Sequence, residues 1–239
     1  MAGHSKWANI KHKKERADQK KGKVFSKLTK EIINAAKQGG ADPETNIKLK
    51  AVIQKAKAAN LPNDTIERNI KKAISTDQSN YDEVAYELYG HSGVGIIAEA
   101  LTDNKNRTAS DIRIAISKCG GNIGSSGAVM YNFEKKGFLQ IDAQQIKEDD
   151  MFMLATDAGA DDFELIENNY LITTEQDMLY AVKERIEAQN IKVEDAFLDM
   201  IPKVRVKCSQ EDQQKNEKLI DWLDNLDDVD AVYHNMEES

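Results

Sequence analysis

The stretch DFELIENNYLITT, residues 162–174, is interpreted as two short strands joined by a three-residue connection. On each side of it the apolar pattern predicts a helix and then another strand. In chain order the predicted elements are a strand at 138–141, a helix at 149–158, strands at 162–166 and 170–174, a helix at 177–188 and a strand at 193–199. This β-α-β-β-α-β order is that of a ferredoxin-like domain, which we assign to residues 135–202.

Strand-like runs also lie on both sides of this unit. Before it come Val84–Tyr89 and Val94–Leu101, a helix at 108–118 and an extended run at 128–133. After it come a strand at 204–206, an amphipathic helix and a strand at 229–233. We predict that this tail completes the earlier sheet. Residues 79–134 and 203–239 then form one discontinuous α+β domain, into which 135–202 is inserted.

The N-terminal third has a different pattern. Apolar residues such as Leu28 and Ile32 recur at helical spacing, and Gly39-Gly40 ends this first helix. The second helix is expected to begin at Asp42-Pro43, an N-cap followed by proline. The predicted fold class is α+β: a flexible basic arm (1–22), a basic three-helix domain (23–78) and two ferredoxin-like α+β domains, the third inserted into the second.

Charge is divided unevenly along the chain. The formal net charge is -8, yet residues 1–76 hold 18 lysines and arginines against 7 acidic residues. The remainder holds 15 basic and 34 acidic residues. Such asymmetry indicates a polyanionic partner for the basic part. The alternative is that the lysines only form a solvated surface.

The sequence lacks the motifs that are typical of several functional classes. Gly90-x-x-Gly93-x-Gly95 is not the dinucleotide fingerprint, and GGNIGSSG (120–127) lacks the GK[ST] ending of a nucleotide-binding loop. The second run is therefore interpreted as a helix stop and tight loop, although its N–H groups suit a phosphate. There is no HExxH, Cys/His cluster or GxSxG. We expect no catalytic residue, metal, cofactor or small-molecule substrate.

Location follows from cysteine usage and hydropathy. The two cysteines, Cys119 and Cys208, are not in CxxC spacing, which favours a reducing compartment. No apolar run approaches the roughly 18–20 residues that span a bilayer. The N-terminus lacks the apolar core of a secretory signal. We expect a cytoplasmic protein without a membrane partner.

The basic arm is the strongest functional signal. Lysines contact phosphates as point charges and do not identify bases. Trp7 suits either stacking on an unpaired base or packing on the helices. Asn104, Arg107, Thr108 and Arg113 form a second polar cluster at a predicted helix start, where anions are favoured. The alternative for this cluster is N-capping by Thr108 with solvated arginines.

The motifs resemble those of a known family. AGHSKWANIKHKK (2–14), followed by KGKVFSKLTKEI (21–32), closely resembles the start of the YebC family, and the resemblance continues through TDNKNRTASDIR (102–113) and GGNIGSSGAV (120–129). A mild departure is Ala128, where serine is more usual. The resemblance implies a helical N-terminal domain and two α+β domains. It also implies a probable DNA-binding transcriptional regulator, or a relative of ribosome-associated factors that ease translation through proline-rich stretches.

The predicted function is a non-enzymatic nucleic-acid-binding regulator of gene expression. Its partner is DNA or, as the alternative, ribosomal RNA on the ribosome. A pure protein-interaction module is a third hypothesis. Asn104, Arg107 and Thr108 match a second polar motif of the family, to which the resemblance assigns no role. The predicted binding residues are Lys6, Trp7, Lys11, Lys13, Lys14, Lys20, Lys21, Lys23, Lys27, Lys30, Asn104, Arg107 and Thr108.

Overall fold

A computed structural model of the protein describes residues 21–74 and 81–237, with side chains from residue 24 onward. These residues divide into two compact units. One contains residues 131–205, and the other contains the described residues before 131 together with 206–237. The predicted arm, apart from its last two residues, lies outside the described residues, and so do residues 75–80.

Three helices open the described chain: α1 (Lys21–Gly39), α2 (Ile47–Ala58) and α3 (Asn63–Ile74). Their apolar faces meet in a core that contains Leu28, Ile32, Leu49 and Ile66, each no more than 4% exposed. Burial of these side chains removes apolar surface from water and stabilises the three helices as a group.

The second helix begins later than the sequence indicates, so the prediction of a start at Asp42-Pro43 was wrong. The carbonyl of Asp42 instead closes a turn by accepting the N–H of Asn46 at 3.0 Å. Asn46 is the N-cap, and its side-chain oxygen accepts the N–H of Leu49 at 3.0 Å. Its amide nitrogen also donates to Ala35 O and Gly40 O, so one buried side chain fixes both helix ends.

The middle part of the chain forms a sheet with two helices. Its elements are β1 (Asp82–Tyr89), β2 (Gly95–Thr102), α4 (Lys105–Cys119), β3 (Asn122–Ile123), α7 (Gln210–Asp224) and β8 (Val229–His234). The strand order is β3-β1-β2-β8, and all pairs are antiparallel. Leu88 and Ile96 of the sheet pack with Ile112 of α4 and Leu219 of α7. The chain therefore leaves this domain after β3 and returns to it before α7.

The intervening residues form the second sheet. Its elements are β4 (Phe133–Asp142), α5 (Glu148–Ala158), β5 (Asp162–Ile166), β6 (Asn169–Glu175), α6 (Leu179–Glu187) and β7 (Asp195–Pro202). The order β5-β6-β4-β7, with antiparallel pairs, is that of a ferredoxin-like sheet. The α+β fold class, with a helical N-terminal domain and the third domain inserted into the second, is confirmed.

Two predicted extended segments were wrong. Residues 128–132 form turns and a short 3-10 helix, because the N–H groups of Val129 and Met130 are bonded to a side chain rather than to a neighbouring strand. At the predicted strand 204–206, Val206 makes only an isolated bridge to Met236. Neither error changes the order of the main strands.

Candidate nucleic-acid interface

The structure describes five of the thirteen predicted binding side chains. Lys21 and Lys23 lie in the first turn of α1, without described side chains. The others, Lys6, Trp7, Lys11, Lys13, Lys14 and Lys20, lie outside the described residues.

Lys27 and Lys30 of α1 point inward, toward the start of β8 and the segment that precedes it. The ammonium of Lys27 donates to the Asp230 carbonyl at 2.8 Å, and that of Lys30 donates to the Asp227 carbonyl at 2.9 Å. Their side chains are only 15% and 16% exposed. Both lysines therefore attach α1 to the middle domain and present little charge to a polyanion.

The carboxylate of Asp228 is the centre of this contact. Its Oδ1 accepts a hydrogen bond from Lys30 at 2.9 Å. Its Oδ2 accepts from Arg107 Nε at 3.1 Å and Nη2 at 2.7 Å, and from Thr108 Oγ1 at 2.9 Å. Asp228 is 5% exposed, and Thr108 is 1% exposed. The predicted polar cluster therefore binds a carboxylate of the same chain through Arg107 and Thr108.

The hydrogen bonds from these donors stabilise the ionised form of Asp228. Burial on its own would raise the pKa of Asp228, but hydrogen bonds from Arg107, Lys30 and Thr108 lower it to about 2. Two positive groups consequently face one ionised carboxylate at neutral pH. Removal of the carboxylate would leave Lys30 and Arg107 without their main partner.

Asn104 has a structural role at the start of α4. It is the N-cap residue, and its side-chain oxygen accepts the N–H of Arg107 at 3.1 Å. Its own N–H donates to Thr102 Oγ1 at 2.9 Å. Capping was the alternative interpretation of this cluster, but the capping residue is Asn104 and not Thr108. Arg107 is ion-paired rather than solvated, although its side chain is 48% exposed.

The pKa of a second carboxylate beside the lysines, that of Asp230, is raised rather than lowered. Burial and the nearby Glu31 carboxylate raise the pKa of Asp230 to about 7, against the opposing effect of Lys27. Its Oδ1 is buried, and no described group donates a hydrogen bond to it. Asp230 is therefore a source of pH dependence at the junction of α1 and β8.

The glycine-rich run after α4 binds an anion from its own chain. The Glu87 carboxylate, on β1, accepts the N–H groups of Gly127, Val129 and Met130 at 2.6, 2.6 and 2.7 Å. Glu87 is 7% exposed. Desolvation would raise the pKa of Glu87, but these three hydrogen bonds lower it. Residues 122–123 of the run form β3, and Glu87 occupies three N–H groups at and just beyond the end of the run, which are therefore not available to a phosphate.

Four exposed lysines lie on α2, and the list of predicted residues missed them. This helix contains four lysines and no carboxylate. Lys48, Lys50 and Lys55 have side chains that are 54%, 51% and 65% exposed, and Lys57 is also exposed. The ion pairs of the first three with Glu83, Glu44 and Glu31 are partly solvated and correspondingly weak. The signal available in the sequence was the presence of four lysines and no carboxylate over residues 47–58.

Within residues 21–74 and 81–237, no group of three or more His, Cys, Asp or Glu side chains is arranged to hold a metal ion. Over the same ranges, no helix has the length and apolar composition needed to cross a bilayer.

Comparison with known proteins assigns the family. Residues 5–76 match the TACO1/YebC protein N-terminal domain, and residues 81–236 match the TACO1/YebC second and third domain. The chain belongs to the TACO1/YebC family. The resemblance drawn from the sequence motifs is therefore confirmed.

Curated relatives in the TACO1/YebC family are similar over almost their whole length. A probable transcriptional regulatory protein of Protochlamydia amoebophila is 55% identical over 99% of this chain and 96% of its own. One from Chlamydia pneumoniae is 54% identical over 99% of this chain and all of its own. The crystal structure of a conserved hypothetical protein from Aquifex aeolicus, 40% identical, superposes with a TM-score of 0.81 over 92% of both chains.

Proposed function

We propose that this protein is a non-enzymatic regulator of gene expression that binds nucleic acid through phosphate contacts made by its basic arm and by α2. The observation that carries the proposal is that α2 presents four lysines and no carboxylate. The names of the curated relatives as probable transcriptional regulatory proteins support a regulatory role. We place it in the cytoplasm, with no cofactor and no small-molecule substrate.

DNA and ribosomal RNA are the two candidate partners. In a helix-turn-helix protein, the N-terminal residues of the recognition helix face base edges. The first turn of α3 contains Asp64, and exposed Glu67 follows one turn later. If α3 entered a major groove, these carboxylates would lie near the base edges, between two rows of negatively charged phosphates. The lysine-rich α2 suits contact with phosphates without base recognition, and this favours structured RNA.

Replacement of α2 lysines tests the phosphate contacts. The variant Lys48→Ala, Lys50→Ala and Lys57→Ala should weaken binding to duplex DNA and structured RNA, measured by fluorescence anisotropy at several salt concentrations. For duplex DNA, each lost contact should reduce the slope of log affinity against log salt by about 0.9. The matched control is Lys118→Ala, Lys192→Ala and Lys207→Ala, which removes three exposed lysines elsewhere. Equal affinity and slope in both variants would contradict the role of α2.

Sedimentation distinguishes the two partners. Lysate is centrifuged through sucrose at roughly physiological ionic strength, where weak phosphate contacts are already screened. We expect the full-length protein to migrate with ribosomes and a variant that lacks residues 1–22 to remain at the top. Recovery on DNA at the same salt, with none on ribosomes, would instead support the transcriptional role.

A further inference from the structure

The outer face of α5, in the inserted domain, exposes two adjacent large apolar side chains. Phe152 is 53% exposed and Met153 is 64% exposed, whereas Met151 and Ala155 of the same helix are buried in the core. Single apolar residues at a surface are common, but adjacent ones that continue into a neighbouring element are typical of interaction sites. α5 therefore has a second apolar surface, directed away from its own core.

This apolar surface extends to the edge of the sheet. The ring of Phe152 lies against that of Phe163 on edge strand β5, with centroids 5.8 Å apart and planes at 76°. Phe163 in turn contacts the buried ring of Tyr170. Leu165 is 44% exposed and lies on the same side of β5 as Phe163, because side chains two residues apart share one side of a strand. Phe152, Met153 and Leu165 are called the α5–β5 patch.

The contact with Phe163 prepares Phe152 for binding. A side chain that is held in one position before a partner arrives loses less conformational entropy when the partner buries it. Met153 adds a flexible, polarisable side chain that adapts to the shape of an apolar partner. Aromatic residues and methionine are both enriched at the centres of protein–protein interfaces. The composition of the patch is therefore that of a protein-binding surface.

Carboxylates border the patch along α5. The helix contains four carboxylates and no lysine or arginine. Asp149 lies one turn before Met153 and Asp157 lies one turn after it, so both are neighbours of the patch on the exposed side of the helix. Among the described side chains, no lysine or arginine forms an ion pair with either carboxylate. The apolar surface thus lies between two negative charges.

The position of Asp157 argues against a role in the stability of α5. Negative charges near the N-terminus of a helix are favourable, which accounts for the three acidic residues of the first turn. Asp157 lies in the last turn, where a negative charge is unfavourable. Arg185 is at this end of the helix, but its guanidinium donates to the Ala158 carbonyl at 2.8 Å. The charge of Asp157 is therefore explained better by a partner than by the fold of the helix.

An apolar surface between carboxylates determines the chemistry of the partner. Nucleic acid and anionic membranes would be repelled. A protein segment that combines lysine or arginine with an apolar side chain is complementary to both parts of the surface. We propose that the α5–β5 patch, together with Asp149 and Asp157, binds a basic segment of another protein. This site does not rest on the proposed function, since the lysines of α2 belong to a different domain.

A synthetic peptide in place of the partner tests the apolar part of the site. The probe is a fluorescein-labelled amphipathic peptide of leucine and lysine, and anisotropy measures its binding to the full-length protein. Phe152→Ser with Met153→Ser should weaken binding about tenfold or more, as the loss of an interface anchor does. The matched control is Ile114→Ser with Tyr131→Ser, which removes two exposed apolar side chains elsewhere and should leave the affinity unchanged.

The carboxylates are tested separately. Asp149→Asn with Asp157→Asn should weaken binding and reduce its decline with salt, because fewer charges attract the lysines. The matched control is Glu184→Gln with Glu194→Gln, which neutralises two exposed carboxylates on α6 and just before β7. Circular dichroism checks that each variant is folded. Met153→Ser alone spares the ring contact of Phe152 and should still weaken binding.

Four outcomes would overturn the proposal. Equal weakening by the patch and control variants would mean that the peptide binds acidic surfaces in general, and unchanged binding in the patch variant would mean that it binds elsewhere. Equal binding of a peptide with glutamate in place of lysine would exclude charge recognition. Sedimentation velocity of the protein alone tests for a second copy, since a dimer that Phe152→Ser with Met153→Ser dissociates would identify this chain as the occupant.

RNA binding separates this proposal from the proposed function. Anisotropy with one structured RNA is measured for the native protein and for Phe152→Ser with Met153→Ser. We expect equal affinities, because the patch and its carboxylates do not attract phosphates. Weaker RNA binding in this variant would mean that nucleic acid contacts the patch and would overturn the assignment to a protein partner. Loss of peptide binding with RNA binding intact would support both proposals independently.

Discussion

Arg107 binds Asp228 through two hydrogen bonds, from Nε at 3.1 Å and Nη2 at 2.7 Å, to the same carboxylate oxygen. This pair joins the start of α4 to the residue that precedes β8. Lys30 of α1 binds the other oxygen of the same carboxylate. One buried anion thus connects the helical domain with two elements of the middle domain that are far apart in sequence.

Replacement of Asp228 should destabilise the protein. Asp228→Asn removes the negative charge while Lys30 and Arg107 keep theirs, so we expect a loss of about 2–4 kcal/mol in the free energy of unfolding. Urea denaturation at neutral pH measures this loss. The control is Asp227→Asn, because Asp227 is exposed and contributes only its backbone carbonyl to Lys30. Similar losses in both variants would contradict the central role of the Asp228 carboxylate.

The lowered pKa of Asp228 predicts that the protein loses stability in acid. The pKa of Asp228 is about 2 in the folded protein, below its ordinary value of 3.8. Its contribution is therefore fully present above pH 3.8 and is lost as pH falls toward 2. Unfolding midpoints in urea should decline over this range more steeply for the native protein than for Asp228→Asn. Parallel declines would show that Asp228 does not contribute in this range.

The raised pKa of Asp230 predicts that stability falls as pH rises toward neutrality, the reverse of the Asp228 effect. Its pKa rises to about 7 from an ordinary value of 3.8, so the folded state binds the extra proton between these values. Stability should consequently fall as pH rises from about 4 to above 7. Asp230→Asn should flatten this slope and stabilise the protein at pH 8 by on the order of 1–2 kcal/mol, because a buried charge is removed.

Urea midpoints at pH 5, 6, 7 and 8 measure the Asp230 effect. The control is Asp224→Asn, which removes a carboxylate that lies 3.9 Å from Lys27 Nζ and whose side chain is 33% exposed. We expect this control to keep the slope of the native protein. If the slope in Asp230→Asn equals that of the native protein, a group other than Asp230 causes the pH dependence.

Glu87 should be required for order in the glycine-rich loop. Glu87→Gln loses the charge that three backbone N–H groups share and presents an amide donor to the loop, so we expect a loss of about 1–3 kcal/mol. Limited proteolysis should then cut near Ser125 and Ser126. Glu83→Gln on the same strand is the control, because its partners Lys48 and Asn34 lie elsewhere. An uncut loop in Glu87→Gln would show that the glycines order it without the carboxylate.

The sequence predicted the elements better than their interactions. Alternating apolar residues around 162–174 indicated the correct strand order, because one face of each strand packs against the two helices. The 128–132 segment has strand-forming residues as well. It forms turns because Glu87, about forty residues earlier, takes its N–H groups. Such a contact depends on the folded sheet and has no local signal.

The same reason explains the predicted binding residues that proved internal. Lysine at position 30 looks no different in sequence from lysine at position 48, yet Lys30 is largely buried and Lys48 is half exposed. The difference arises from Asp228, nearly two hundred residues later. Basic composition therefore indicates a domain with a surplus of lysines, but tertiary contacts decide which of these lysines are exposed.

Gly120 provides a final prediction, which concerns the end of α4. Its φ is +85°, a conformation that costs a side-chain-bearing residue about 1 kcal/mol. A Cβ atom at this position would also lie 2.6 Å from Nε2 of His91. That ring nitrogen lies 2.9 Å from the Cys119 carbonyl, so a displaced ring would give up this hydrogen bond. Gly120→Ala should therefore lose clearly more stability than the backbone cost alone.

Gly40→Ala is the matched control for Gly120→Ala. Gly40 also ends a helix with positive φ, at +91°, but no atom lies within 4 Å of the Cβ position. We expect Gly40→Ala to cost about 1 kcal/mol, and Gly120→Ala to cost about 1–3 kcal/mol more, as overpacked sites do. Urea denaturation measures both values. Equal losses would mean that His91 moves aside freely and that only the backbone conformation selects glycine at position 120.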